Sequence, residues 1–478
     1  MLNLAKSQIK LKPVELSHAE IKASDIWVDD CLGFKDAAQT LEGLISDCDY
    51  PLTVCLDSAW GTGKTFFLRR FCEQYKSTEN EREVHRAIYF NAWEDDFLSD
   101  PLLAIVGQLY HCFAQEADKK ELLLNAARSI PKSLLRVGWG MMKEAHPVLG
   151  AMAEGVASSV RHPMDDLLEE YSSQIEARVK LKSHLGALAK EIKDETGRPL
   201  LFVIDELDRC RPLFAIEMLE RIKHLLGVPN IVYVLGVDCA QLRKSIGAVY
   251  GDIDAENYLH RFFDIETRLP DVSLDRFFFT MCKRYGLLDA DAATCLRDVF
   301  PKHFLPLIKY GGLSLREMEK AFRYFVLLYV KNNACIVHPA LLPLLIVLKI
   351  KHGEQYAKLC QKDILVSDLV NVLFGSLRGY REFDNCVDVV SFIYRWFVMG
   401  EIDEAQRAEL KSTFNLIVNS EQKSPALDDT LLADCLKALP YKELKNFAES
   451  IQYFSSHGSM SHIDEDLPEI IRLLDCLA

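Results

Sequence analysis

Residues 57–67, DSAWGTGKTFF, contain a glycine-rich turn followed by a lysine and a threonine, a combination that can bind phosphate. In a phosphate-binding loop of this kind (a P-loop), backbone N–H groups converge on phosphate oxygens at a helix N-terminus, where the helix dipole is positive. Lys64 would reach the β- and γ-phosphates, and Thr65 would place its hydroxyl on Mg²⁺. The stretch therefore predicts a nucleotide-phosphate site formed by Ser58, Ala59, Trp60, Gly61, Thr62, Gly63, Lys64, Thr65 and Phe66.

The loop departs from the usual spacing at one position. The pattern is a glycine, four residues and then Gly-Lys-Ser/Thr, which puts the first glycine where this chain has Ser58. A residue other than glycine is tolerated there if its φ is negative. Gly61 and Gly63 still occupy the tight part of the loop. The alternative is a chance Gly-Lys-Thr before a helix, so a second motif has to decide.

The second motif is an acidic pair at the end of an apolar run. Leu200 to Ile204 (LLFVI) is followed directly by Asp205 and Glu206. An aspartate at the carboxyl end of a strand beside the P-loop strand can hold Mg²⁺ through water, and a glutamate next to it can orient or deprotonate the attacking water. A solvated acidic turn is the competing interpretation. Together the two motifs predict nucleotide binding, with Thr65 and Asp205 at the metal and Lys64, Asp205 and Glu206 in catalysis.

The elements that must position these residues alternate between strands and helices. Such alternation predicts a parallel α/β core. The predicted strands are Leu52–Leu56, Ala87–Phe90, Leu200–Ile204 and Ile231–Val237, and the predicted helices are Phe34–Ile45, Thr65–Gln74, Pro101–Phe113, Asp165–Asp194 and Phe214–Leu226.

Strand signals fade from about residue 271, and helical patterns dominate to the end of the chain. We therefore expect an α/β P-loop domain at 1–270 with a helical insert at about 130–195. A helical lid at 271–335 and an all-α sensor or interaction domain at 336–478 are expected to follow.

Several segments together resemble the KAP family of P-loop NTPases, over roughly residues 25–330. The combination is specific, although no single piece is. The segments are Trp60–Thr65 in the loop, Phe90–Glu94 (FNAWE), Asp208–Pro212 (DRCRP), Gly236–Asp238 (GVD) and Tyr258–Phe263 (YLHRFF).

The resemblance implies binding and hydrolysis of ATP with Mg²⁺ in an additional-strand, AAA+/STAND-like P-loop fold. It also implies a catalytic position for Asp208 and a cofactor-binding position for Asp238. The chain departs from the family at Ser58, at Glu206, where a second Asp is frequent, and at Arg261, where Lys is usual. Some members carry membrane spans, but the charges and glycines at 130–164 indicate a member without them. Other members act in bacterial anti-phage systems, which makes a defence complex with protein partners a hypothesis for this chain.

Three arginines are candidates for reaching the γ-phosphate. Arg316 lies in the first turn of a helix capped by Ser314 and Glu317, which is an unfavourable place for a cation. Arg261 and Arg209 are rival arginine-finger candidates, but an ordinary salt-bridge role is favoured for each, whereas the two roles are equally open for Arg316.

The segment Phe90–Glu94 also leaves two interpretations open. Asn91 or Glu94 could lie near the γ-phosphate or at a contact between subunits. The alternative, which we favour for Trp93, is a core anchor packed beside the sheet.

Composition limits the classes of function. The net charge of −14 and pI of about 5.5 disfavour broad attraction to nucleic acid or anionic membrane, which counts against a DNA-acting motor. Fourteen scattered cysteines without a CxxC pair are typical of free thiols in a reducing cytosol rather than of a zinc site. We expect no signal peptide, because the first residues lack a long apolar core and a small-residue cleavage site, and the sequence contains no apolar run of membrane-spanning length. These features predict a cytoplasmic protein.

Two functional hypotheses remain. In the first, ATP hydrolysis drives a conformational or assembly switch, in the chain itself, in a homo-oligomer or with protein partners. In the second, the chain is a nucleotide-binding scaffold that does not hydrolyse, and the C-terminal helices act by interaction.

Overall fold

The computed structural model describes residues 21, 26–28, 30–76, 86–98, 100–128, 130, 163–288, 300–332 and 341–360. The chain divides into two units, one from Glu15 to Val272 and the other combining Met1–Val14 with Ser273–Ala478. The glycine-rich stretch at 131–162 and all of the predicted C-terminal domain beyond residue 360 lie outside the described residues.

A five-stranded parallel sheet forms the centre of the unit Glu15–Val272. Its strand order is β2-β3-β4-β1-β5, which places the first strand of the chain between the fourth and the fifth. The strands are β1 (Leu52–Asp57), β2 (Ala87–Asn91), β3 (Leu200–Asp205), β4 (Ile231–Val237) and β5 (Ile265–Arg268). The predicted parallel α/β P-loop fold is confirmed.

The strands β3 and β4 lie in the interior of the sheet and are covered on both faces. All residues of β3 and β4 are buried, as their continuous apolar runs predict for strands covered on both faces. Asp57 is opposite Val237, and Asp205 is opposite Gly236. The carboxyl ends of β1, β4 and β3 therefore meet at one edge of the sheet.

The sequence analysis missed β5. This strand has only four residues, Ile-Glu-Thr-Arg, and none of them is buried. It pairs with β1 alone, at the edge of the sheet. A short edge strand without a buried apolar run carries too little periodicity to be recognised.

Helices connect these strands and cover the sheet. Right-handed crossovers place α2 on one face and the helices after β2 on the other. The contacts agree, because α1 packs on α2, while α6 packs on both α3 and α7. The helices are α1 (Lys35–Ile45), α2 (Lys64–Lys76), α3 (Pro101–Cys112), α4 (Ala117–Arg128), α5 (Pro163–Thr196), α6 (Pro212–Arg221, continued by a π-helical turn at Ile222–Leu226), α7 (Cys239–Tyr250) and α8 (Ala255–Leu259).

The second unit is helical throughout its described part. Its helices are α9 (Leu274–Tyr285), α10 (Phe300–Tyr310), α11 (Leu315–Asn332), α12 (Leu341–Lys351) and α13 (Gly353–Cys360). The predicted capping box is present, because the Glu317 carboxylate accepts from Ser314 N–H at 2.8 Å and Ser314 Oγ accepts from Glu317 N–H at 3.3 Å. None of the helices in the described part of the chain combines the length and the apolarity that a membrane span requires.

Candidate phosphate-binding site

The loop after β1 has the backbone geometry of a phosphate-binding loop. β1 ends at Asp57 and α2 begins at Lys64, so the loop occupies residues 58–63. Gly61 and Gly63 have φ of 80° and 101°, values that favour glycine. A Cβ on Gly63 would also lie 2.8 Å from Leu32 Cδ1. Gly63 is therefore required by both conformation and packing.

Ser58 does not need to be glycine. Apart from glycines, the described residues with positive φ are Glu206 and Asn230, so the backbone of Ser58 is not in the left-handed region. The Ser58 N–H donates to Val237 O at 3.0 Å. Its Oγ lies 2.7 Å from Thr62 Oγ1, which in turn donates to Ala59 O at 2.8 Å. Ser58 thus closes the loop through a hydroxyl–hydroxyl contact with Thr62, which a glycine could not make.

The start of α2 offers N–H donors at the loop. The first backbone hydrogen bond of this helix runs from Phe67 N–H to Gly63 O at 3.0 Å. The N–H groups of Lys64, Thr65 and Phe66 precede it and have no intrahelical acceptor. Such donors at the positive end of a helix suit phosphate oxygens.

Lys64 and Asp208 link the loop to the turn after β3. Lys64 is buried, and its Nζ donates to Ser58 O at 2.7 Å and lies 3.8 Å from Asp208 Oδ1. That oxygen is buried and accepts no hydrogen bond from the described residues, so the nearby ammonium compensates its charge. The other carboxylate oxygen accepts from the indole N–H of Trp60. Asp208 thus touches the P-loop at two points.

The Asp205 carboxylate lies at the centre of the site and is fully buried. The side chain of Thr65 lies near it. Oδ1 accepts from Glu206 N–H at 2.9 Å, and Oδ2 accepts from the Tyr89 hydroxyl at 2.8 Å. Burial raises the pKa of Asp205, and the hydrogen bonds from Thr65 and Tyr89 act in the opposite direction. The two residues expected at the metal therefore lie near each other.

Tyr89 is the residue of this group that the sequence analysis missed. It lies on β2 opposite Val203, and Asn91 lies opposite Asp205. Because side chains alternate along a strand, Tyr89 is on the same face of the sheet as Asp205. Periodicity could have indicated this relation, but only once β2 and β3 were known to be neighbours.

Glu206 has an unusual backbone conformation and a charged partner. Its φ and ψ are 61° and 23°, in the left-handed region, which is uncommon for a residue other than glycine and often marks functional sites. Its Oε1 lies 2.6 Å from Arg209 Nη1. Of the two roles considered for Arg209, the structure shows the salt bridge.

The expectation that Trp93 anchors the core is wrong. Its side chain is 53% exposed, and its ring centroid lies 5.7 Å from the Arg209 guanidinium carbon. The turn after β2 directs it outward, because Asn91 Oδ1 accepts from Trp93 N–H at 3.1 Å and the Asn91 amide donates to Glu94 Oε1 at 2.9 Å. Asn91 and Glu94 thus stabilise this turn.

Asp238 has a structural role that the sequence analysis did not foresee. Its Oδ1 accepts from the N–H groups of Ala240 and Gln241 at 3.1 and 3.2 Å, and so caps α7. This N-cap explains the residue without a nucleotide contact. A cofactor-binding role for Asp238 remains only a prediction.

The structure does not bring Arg261 to the P-loop of its own chain. α7 starts beside Asp57, whose carboxylate accepts from Cys239 N–H at 2.9 Å. β5 starts at the other end of the sheet, where the strands have their amino ends. There Asp264 N–H donates to O of Thr53, near the start of β1, at 2.9 Å. Arg261 is exposed and lies just before that strand. Arg261 therefore lies near the amino ends of the strands, whereas the P-loop follows the carboxyl end of β1.

Arg316 belongs to the other unit. It is exposed in the first turn of α11, and a contact with phosphate stays a prediction.

The donors at the site fit Mg²⁺. The Thr65 hydroxyl and the Asp205 carboxylate supply the oxygen ligands that this ion prefers. Within the described ranges no group of three or more His, Cys, Asp or Glu side chains could hold a metal. That is compatible with Mg²⁺, which is usually bound by one or two protein groups together with phosphates and waters.

Comparison with known proteins bears on the identity of this domain. No curated protein matches the chain. Among solved structures, the chain is similar to the Aeropyrum pernix ORC2 protein in its ADPNP–ADP complexes, at 12% identity and a TM-score of 0.32, over 89% of this chain and 95% of that one. A model of the KAP family P-loop domain matches residues 34–284, which is more than half of the 478 residues. The chain therefore belongs to the KAP family of P-loop proteins.

Proposed function

We propose that this protein binds ATP with Mg²⁺ at the P-loop and hydrolyses it, and that hydrolysis drives a conformational or assembly switch. One observation carries the proposal. The side chain of Thr65, in the first turn of the P-loop helix, lies near the Asp205 carboxylate at the end of β3. Glu206 follows in the next position with a strained backbone. This is the arrangement that a phosphate loop, a metal site and a water-activating carboxylate require.

Each residue then has a distinct role in the proposed reaction. Lys64 and the N–H groups at the start of α2 bind the phosphates, and Thr65 and Asp205 hold the metal. When bound, Mg²⁺ would neutralise charge on the phosphate oxygens. Glu206 accepts a proton from the attacking water. Asp208 keeps Trp60 and Lys64 in position through its two carboxylate oxygens.

Lys64 must change partners when a nucleotide binds. Its Nζ now donates to Ser58 O, and a triphosphate would offer it stronger, charged acceptors. This exchange couples the loop to the nucleotide, which is the basis of the proposed switch. Protein partners, or further copies of this chain in a homo-oligomer, would bind according to the nucleotide state. The family suggests that such partners belong to a bacterial anti-phage complex in the cytoplasm.

The alternative is a scaffold that binds nucleotide without hydrolysing it. The observation in its favour is the ion pair between Glu206 and Arg209. A carboxylate that stays in this pair is not available to activate water, whereas Lys64, Thr65 and Asp205 could still bind the nucleotide.

The test uses the full-length chain and compares ATP with GTP. Binding and phosphate release are measured with Mg²⁺ and with EDTA, for the wild type, for Lys64→Ala and for Lys76→Ala. Lys76 lies at the other end of α2, in a pair with Glu73, and serves as the matched control. We expect ATP turnover that requires Mg²⁺ and falls by about a hundredfold in Lys64→Ala only. Binding without turnover would support the scaffold, and no binding in the wild type would refute both functions.

A further inference from the structure

We propose that Tyr89 is a positioning residue for the metal site, and that its hydroxyl fixes the Asp205 carboxylate in the orientation that receives Mg²⁺. The inference rests on the proposed function, because it assigns a second residue to the same metal. Tyr89 itself is not expected to touch the metal or the nucleotide.

The first argument is the contact itself. The Tyr89 hydroxyl donates to Asp205 Oδ2 at 2.8 Å, from the neighbouring strand β2. Tyr89 is half-buried, and its hydroxyl makes no other hydrogen bond with the described residues. A rigid aromatic ring in a strand holds a hydroxyl more firmly than a loop residue would.

The second argument is the number of acceptor positions on the carboxylate. An ionised carboxylate offers about four lone-pair positions. Tyr89 and Glu206 N–H occupy two of them, and the nearby Thr65 hydroxyl can take a third. One position remains for the metal or its water, and the Thr65 hydroxyl can turn to the same ion. Tyr89 and Glu206 N–H then hold one carboxylate oxygen each.

The third argument comes from the opposite side of Asp205. Gly236 lies beside it in the register of β3 and β4, and a Cβ there would be 3.2 Å from Asp205 Oδ1 and 2.3 Å from Leu68 Cδ1. No side chain at this position of β4 can therefore orient the carboxylate. Orientation within the sheet depends on β2, where Tyr89 supplies it.

The expected effect follows from the strict geometry of Mg²⁺, which demands near-octahedral ligands. Loss of a hydrogen-bonding partner behind a metal ligand typically costs about 10- to 100-fold in metal affinity or activity. Tyr89→Phe keeps the ring and removes only the donor. It should weaken Mg²⁺ binding and leave the interaction of phosphates with the P-loop intact.

The experiment measures binding rather than turnover. A fluorescent, non-hydrolysable ATP analogue is bound to the full-length wild type, to Tyr89→Phe and to Tyr233→Phe, and Mg²⁺ is titrated. Tyr233 is the matched control, because it is a buried tyrosine of the same sheet whose hydroxyl donates to Leu226 O at 3.2 Å. Affinity in EDTA and the thermal midpoint are measured on the same samples.

We expect the Mg²⁺ midpoint to rise by about tenfold or more in Tyr89→Phe, with affinity in EDTA within about twofold of the wild type. Tyr233→Phe should match the wild type in both. An unchanged Mg²⁺ midpoint in Tyr89→Phe, an equal shift in both variants, or an equal loss of affinity in EDTA would each overturn the inference. If the wild type itself shows no Mg²⁺-dependent binding, the proposed function fails and this inference falls with it.

Discussion

Arg209 and Glu206, three residues apart in the turn after β3, form an ion pair in which Arg209 Nη1 lies 2.6 Å from Glu206 Oε1. The same guanidinium lies near the exposed ring of Trp93. Glu206 must leave this pair before it can act on a water molecule. The turn Leu207–Arg209 therefore holds both a residue that contacts the P-loop, Asp208, and one that restrains the proposed base.

Breaking this pair should release Glu206. We expect Arg209→Gln to raise the basal ATP turnover of the full-length chain. The pair is partly exposed, so it contributes at most about 1 kcal/mol, and the increase should not exceed about fivefold. Steady-state phosphate release at saturating Mg-ATP is the measurement.

The neighbouring arginine provides the control. Arg211 bonds Asp96 at 2.8 Å rather than Glu206, so Arg211→Gln should leave turnover per folded molecule unchanged. A fall of tenfold or more in Arg209→Gln alone would contradict a restraining role and would identify Arg209 as an arginine finger.

Substitutions at the two ends of the P-loop should differ greatly in their effect on ATP binding. Ser58→Gly restores the usual pattern but removes the hydroxyl contact with Thr62 and adds chain entropy. It should change ATP affinity by less than about threefold and lower stability by about 0.5–1 kcal/mol. Gly63→Ala should abolish binding, because φ is 101° and the added carbon would lie 2.8 Å from Leu32 Cδ1.

Equilibrium binding of the ATP analogue and thermal melting measure both variants. A gain of tenfold or more in affinity for Ser58→Gly would show that the serine impairs the loop, although its backbone conformation does not require glycine.

The capping box of α11 predicts a pH dependence. Burial by itself would raise the pKa of Glu317, but hydrogen bonds from Ser314 and Lys351 outweigh it and leave the pKa lowered. Stability from a lowered carboxyl pKa is present above the ordinary value of 4.5 and is lost as pH falls through the folded value. Glu317→Ala should therefore weaken the start of α11 by about 1 kcal/mol near pH 7, with a smaller cost at acid pH.

Hydrogen–deuterium exchange of peptides from α11 measures this effect. Glu317→Gln is the control, because glutamine can also complete a capping box but carries no charge. The difference between the wild type and Glu317→Gln should be constant from pH 7 to 5 and shrink below about 4.5. A difference that grows as pH falls would contradict a lowered pKa for Glu317.

The parts of the site that could be predicted from the sequence are those encoded in contiguous residues. Lys64 and Thr65 lie in a loop that directly follows a strand, and Asp205 follows a continuous apolar run, so local pattern sufficed to place them. Tyr89 could not be found in this way, because its role depends on which strand lies beside β3. Pairing between distant segments is a property of the sheet, not of a window of sequence.

The incorrect expectation for Trp93 and the placement of Arg261 have a related cause. Tryptophan is usually well buried, but a turn fixed by Asn91 points Trp93 to solvent. Arg261 precedes a strand that was not recognised, so the edge of the sheet to which it belongs was unknown. For Asp238, the sequence does carry an N-cap pattern, an aspartate directly before the helix Cys239–Tyr250.

The central claim is that Glu206 activates water at a site that binds ATP through other residues. Its most direct test is phosphate release by the full-length wild type and by Glu206→Gln at saturating Mg-ATP, with bound ATP quantified on the same samples. We predict that Glu206→Gln binds ATP as tightly as the wild type and releases phosphate at least about a hundredfold more slowly. Equal rates in the two proteins would contradict the account, because the carboxylate next to Asp205 would then have no part in hydrolysis.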